Sequence, residues 1–105
     1  NPDSRTTERN PEPMTRVKQI VLDVLKPHQP NSLRFAQSVA RVGDDYRVSL
    51  TVVEVDEKTE TVQMVITAPA IDFDAIEAAV SEMGGSIHSI DQVEVVNEED
   101  PGRTE

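Results

Sequence analysis

IDFDAIEAAVSEMGGSIHSIDQV, residues Ile71 to Val93, decides the fold. Asp72 precedes a helical run in which Phe73, Ile76, Ala79, Val80 and Met83 recur at the three-to-four spacing of one helix face. Its carboxylate can take an orphan amide of the first turn, and Asp72, Asp74 and Glu77 complement the positive end of the helix dipole. Gly84-Gly85 stops the helix, since glycine adopts the left-handed conformation without steric cost. From Ile87 to Val96 the pattern becomes that of a strand, with irregular alternation around Ser89 and Asp91 that predicts a bulge.

Upstream, Arg16 to Lys26 alternates: Ile20, Leu22 and Val24 share one face, and Val21, Asp23 and Leu25 the other. Pro27 and Pro30 end this strand, because proline lacks the donor that a sheet ladder needs. Asn31 or Ser32 caps a helix carrying Phe35, Ala36, Val39, Ala40 and Val42 on its apolar stripe, with Gly43 as its expected stop. Tyr46, Val48, Leu50 and Val52 form a second strand, whose far end, Val53 and Val55, turns apolar on the opposite face. Asp56 to Thr59 is a polar hairpin loop, and Val62, Met64 and Ile66 mark a third strand that ends before Pro69. The order is βαββαβ. Two right-handed crossovers place both helices on one face of a four-stranded antiparallel sheet, the ferredoxin-like sandwich of the α+β class, with strand order 4-1-3-2.

The 105 residues divide into three parts. Residues 1–13 (NPDSRTTERNPEP) and 98–105 (EEDPGRTE) contain too little apolar surface to offset their ordering entropy, and read as a flexible N-terminal extension and an acidic flexible tail. Residues 14–97 form the domain. Met14 reads as an alternative start, which makes the extension either natural or an artificial addition. The net charge is −10, with only three lysines against seven arginines. Such a balance repels a phosphate backbone and suits a salt-rich cytoplasm, where screening removes the self-repulsion. Without cysteine, disulfides, thiol catalysis and thiolate metal sites are excluded. No apolar run reaches the roughly 20 residues that span a bilayer, and no signal peptide is visible, so the expected location is cytoplasmic and neither membrane nor nucleic acid is an expected partner. Nor do Phe35, Tyr46 and Phe73, the only aromatics, fall on the open sheet face where an RNA-binding domain of this architecture carries them.

LDVLKPH (22–28), VVEVDEKTETV (52–62) and, most specifically, EMGGSIHSID (82–91) resemble a family of small archaeal proteins known as the domain-of-unknown-function two-hundred-and-eleven family. The likeness covers Arg16 to Val96. It implies a ferredoxin-like fold, closed homo-oligomeric rings and, in some members, a divalent cation; it supplies no activity. The extension before Met14 and the acidic tail depart from the family pattern, and the acidic balance resembles a halophilic member.

Three groups of residues are candidates for chemistry. Asp23, His28, His88 and Asp91 form the first, since pairing of the first and fourth strands would bring His28 near the start of the fourth; imidazoles and carboxylates together bind a metal or relay a proton. The plainer expectation is that both histidines hydrogen-bond neighbouring backbone, because the tight spacing of strong metal motifs is missing. Glu54, Asp56, Glu57 and Glu60 form the second group, whose oxygens suit calcium or magnesium, against the plainer expectation of a solvated acidic loop. Gly84 and Gly85 form the third: they let backbone amides approach a small ligand, though a helix stop is their commoner use.

Val21, Leu25, Val53, Val55 and Val65 are expected on the helix-free face, as an interface with further copies of the chain. The leading functional expectation is therefore a non-catalytic, self-assembling homo-oligomeric module, ring-like, acting as a scaffold or a small regulatory, ligand-sensing protein. A divalent-cation-binding protein is the first alternative. A small enzyme with His88 and Asp91 as an acid–base pair is the second.

Overall fold

Alternation along the first strand is carried into space as burial. The computed structural model describes residues 15–97, so the expected flexible extensions, and Met14, lie outside the described residues. Strand β1 (Thr15–Pro27) buries Ile20, Leu22, Val24 and Lys26 and leaves the residues between them half-buried. Helix α1 (Ser32–Ala40), strands β2 (Arg47–Val55) and β3 (Thr59–Thr67), helix α2 (Phe73–Glu82) and strand β4 (Ser86–Asn97) complete the βαββαβ order. All pairings are antiparallel, and the sheet runs β2-β3-β1-β4, the expected 4-1-3-2 read from the other edge. The ferredoxin-like sandwich is thus the observed fold.

Both helices begin as their sequences dictate. Asn31 Oδ1 accepts from the Arg34 amide at 2.9 Å and Asp72 Oδ1 from the Ala75 amide at 3.2 Å, each satisfying a first-turn donor. Phe35 and Val39 of α1 and Ile76 and Val80 of α2 point into the core. There they meet Ile20, Leu22 and Val24 of β1 and Val62, Met64 and Ile66 of β3. Leu22 pairs with Met64 and Val24 with Val62, so side chains in direct cross-strand register form the floor on which the helices rest.

Glycine is used differently at the two helix ends. Gly84, at φ +84°, takes the left-handed position after α2, as expected. After α1 the left-handed residue is Asp45 (φ +63°) and not Gly43. Gly43 is required for another reason: a Cβ there would lie 2.7 Å from the Tyr46 ring. The close approach lets Tyr46 reach the start of α2, where its hydroxyl accepts from the Asp72 amide at 2.7 Å. A glycine expected to stop one helix therefore makes room for the residue that ties down the next.

Two bulged stretches change the register. Between Val52 and Glu54 the β2–β3 ladder shifts by one, which sets Glu54 opposite Thr61 and Val55 opposite Glu60. A one-residue slip turns every later side chain over. Val55 consequently shares the register of Lys26, on the helix side, and not the helix-free face on which strict alternation would put it. Val53 sits at the shift itself and is 64 % exposed. On β4, shifts against β1 leave Asp91 between the pairs Val21–Gln92 and Leu22–Ile90, and His88 between Asp23–Ser89 and Val24–Ile87. The irregularity predicted near Ser89 and Asp91 is there.

Among the described residues, no helix is long and apolar enough to cross a membrane.

Candidate functional site

The apolar file of β1 ends in a cation. Ile20, Leu22 and Val24 face the helices, and the next residue in that file is Lys26, whose side chain is 0 % exposed. A buried ammonium requires partners for its three donors, or its desolvation goes uncompensated. Lys26 Nζ donates to Glu60 Oε1 at 3.0 Å and to the Pro27 carbonyl at 2.8 Å, and lies 5.5 Å from the centroid of the Phe35 ring. The ring face is electron-rich and attracts the cation. Glu60 is in place because Lys26 and Glu60 are cross-strand partners in the β1–β3 ladder.

The second oxygen of Glu60 takes His28. After Pro27 the chain leaves the sheet and turns its imidazole onto the β2–β3 hairpin, with Nδ1 at 2.9 Å from Glu60 Oε2. Nε2 lies 2.9 Å from the Asp56 carbonyl and 3.0 Å from the Glu57 carbonyl. The hairpin is closed beneath by the Asp56 amide donating to the Thr59 carbonyl at 2.8 Å. One carboxylate thus joins the Lys26 ammonium beneath it and the His28 imidazole at its rim.

Protonation follows from the partners. The Glu60 carboxylate, then the Glu57 and Asp56 carbonyls, raise the pKa of His28 above its ordinary 6.5, against a smaller opposing effect of desolvation. His28 and then Lys26 lower that of Glu60 below 4.5. The raised histidine contributes stability that is full below pH 6.5 and is lost as pH rises through its folded pKa; the lowered carboxylate contributes stability present above pH 4.5 and lost as pH falls through its own. Both groups are charged in the interval between the two folded values.

The site residues predicted from sequence do not all meet. His28 turns to the hairpin and not to the start of β4, where Ser86 already pairs with Leu25. His88 is exposed, and among the described residues its side chain makes no hydrogen bond. Asp23 lies opposite Ser89 on the helix-free face, and the Ser89 hydroxyl donates to Asp91 Oδ1 at 2.7 Å. Both imidazoles lie toward the same end of the sheet but on opposite flanks of β1: His28 turns to β3 and the hairpin, while His88 sits on β4 at an irregularity of the ladder.

The hairpin carboxylates are likewise dispersed. Glu54 takes the register of Thr61 on the bare face, Glu60 is occupied on the helix side, and Asp56 and Glu57 present their carbonyls to His28. Among the described residues no group of three or more histidines and carboxylates is arranged to hold a metal ion. The expected calcium or magnesium cluster is not assembled within one chain.

Gly85 lines a groove of about 540 Å³ between α2 and the start of β4, with Asp74, Glu77, Ser81 and Ile87. Its missing side chain is explained by packing, since a Cβ would lie 3.0 Å from Val80 and 3.1 Å from the Phe35 ring. Sequence reasoning missed Lys26. The signal was present: one charge in an otherwise apolar core-facing file, just before the proline that ends the strand.

These features define a small ferredoxin-like domain with a cation–carboxylate–imidazole cluster at one end of its core. Residues 18–99 match the model of the DUF211 family, described as uncharacterized ArCR, and the chain belongs to that family. It is similar to an uncharacterized protein of Methanocaldococcus jannaschii, 40 % identical over 80 residues that cover 76 % of this chain and 82 % of the relative.

Proposed function

We propose that the chain is a non-catalytic, self-assembling module, a scaffold in which the helix-free face of the sheet packs against the same face of another copy. The charge pattern at the centre of that face carries the reading. Gln19, Val21, Asp23 and Leu25 of β1 face Thr67, Val65, Gln63 and Thr61 of β3, and Asp23 is the one ionisable group among these eight. The whole chain carries −10. Copies with that charge repel, and the repulsion is least where ionised groups are fewest. Val21 and Val65 are direct cross-strand partners at the middle of the face, a small apolar centre flanked by glutamine and threonine, with the charges of Arg47, Glu54 and Glu94 on the outer strands; an apolar centre inside a polar rim is the usual anatomy of an interface. Gln19 and Gln92 already hydrogen-bond at 2.9 Å, so part of the surround is satisfied within the chain and stays dry at little cost. Face-to-face packing also gives a two-fold contact, the commonest way for soluble chains to assemble.

Asp23, the charge nearest the centre of the face, contributes to the salt dependence. Two copies bring their Asp23 carboxylates to one interface, and screening relieves that repulsion. Light scattering coupled to size exclusion, at low salt and at molar salt, tests the proposal. A mass that is a multiple of 11.6 kDa, more persistent on dilution at high salt, supports it. A species of 11.6 kDa at micromolar concentration in both conditions refutes it.

A further inference from the structure

The His28 contacts imply more than a fixed bridge. Every atom that meets the imidazole is an acceptor: Glu60 Oε2 at Nδ1, and the Asp56 and Glu57 carbonyl oxygens at Nε2. A neutral imidazole carries one N–H and one lone pair, so it cannot donate on both sides. The arrangement is complete only with the imidazolium. We propose that His28 is a proton-operated latch on the β2–β3 hairpin, binding both Glu60 and the hairpin tip when charged and releasing the tip, but not Glu60, when neutral.

Which side is released follows from the partners. A bond to a carboxylate is about twice as strong as one to a neutral carbonyl. The neutral ring therefore keeps its proton on Nδ1, toward Glu60, and turns its Nε2 lone pair toward the Asp56 and Glu57 oxygens. Acceptor against acceptor is repulsive, and the tip moves away. Glu60 remains anchored, because Lys26 holds its other oxygen at 3.0 Å from beneath.

Few other charges bear on the ring. β1 supplies Lys26, and β3 supplies Glu60. α1 turns the uncharged Phe35 ring to Lys26, and the end of α2 sets Gly84 beside Pro27. From the hairpin come the exposed side chains of Asp56, Glu57 and Lys58, in addition to the two carbonyls. The released segment joins Val55, 62 % exposed, to Thr59, so the latch governs the order of the sheet corner that carries the exposed valines of β2.

Nuclear magnetic resonance on the full, nitrogen-15-labelled chain tests the latch. Long-range proton–nitrogen spectra of the imidazole report its charge and tautomer. Backbone spectra report the Glu57 and Lys58 amides and the exchange protection of the Asp56 amide. The expected result is an imidazolium at pH 6, a loss of its proton with a midpoint above 6.5, and a neutral form protonated on Nδ1. The hairpin amides should shift, and Asp56 lose protection, with that same midpoint, while Val62 and Met64 in the core hold theirs. In His28→Gln the hairpin amides should show no inflection over this range. A His28 titration that leaves the hairpin amides unmoved overturns the proposal, as does a neutral ring protonated on Nε2, or an unchanged hairpin inflection in His28→Gln.

Discussion

The two faces of one sheet are built from alternate residues of the same strands, yet they answer to different constraints. On the helix side of β1 and β3, Ile20, Leu22, Val24, Val62, Met64 and Ile66 are buried to the last few per cent. On the other side, Val21, Leu25 and Val65 are half-buried among glutamine, threonine and one aspartate. The first face has enough apolar area to hold the fold and reads as a core. The second has too little to hold anything within one chain, and its two central strands carry a single charge, with Arg47, Glu54 and Glu94 on the flanking strands. The contrast separates the face that makes the domain fold from the face proposed for assembly.

Substitutions can break or sharpen that contrast. The largest expected loss of stability is from Phe35→Ala, which empties the place where α1, Lys26 and Gly85 converge. It should cost about 3–5 kcal/mol in a urea unfolding curve, the range for a fully buried aromatic. Next is Gly85→Ala, where a Cβ must displace Val80, Phe35 or the Leu25 carbonyl; overpacking of this kind costs about 1–3 kcal/mol, read from the shift of the unfolding midpoint. Asp72→Ala removes the α2 cap and should cost about 1 kcal/mol by the same measurement. Asp23→Asn on the bare face should change the stability of a single chain by less than about 0.5 kcal/mol. It should nevertheless strengthen assembly and flatten its salt dependence, as seen by light scattering across a salt series.

The sequence disclosed the helix side far more fully than the bare side. Asp72, Asn31 and the periodic stripes behind them state where the helices begin and which way they face, because capping and periodicity are local. The strand order followed from chain handedness alone. The bulge at Val52–Glu54 was not legible: nothing in VVEV distinguishes a continuous ladder from a shifted one, and the shift moved Val55 to the other side. The cluster at the end of the core was half legible. His28 stood out as a rare residue between two prolines, but its partner is thirty-two positions away, and only the β1–β3 register brings Glu60 to it. Lys26 was overlooked although it continues the core-facing file of β1, because a lysine near a strand terminus ordinarily reads as solvent-facing. His88 and Asp91 drew attention by residue type, and the β4 bulges instead set them at an exposed edge.

The central claim, that the bare face is where copies of the chain meet, is tested most directly by sedimentation of Val65→Glu beside the unaltered chain at high salt. Val65 faces Val21 at the middle of that face, so a carboxylate there must either stay wet or be buried unpaired. The account predicts that the variant sediments as a folded monomer of 11.6 kDa while the parent sediments as an assembly. If variant and parent sediment alike, whether both assembled or both monomeric, the bare face is not the surface through which the chain acts.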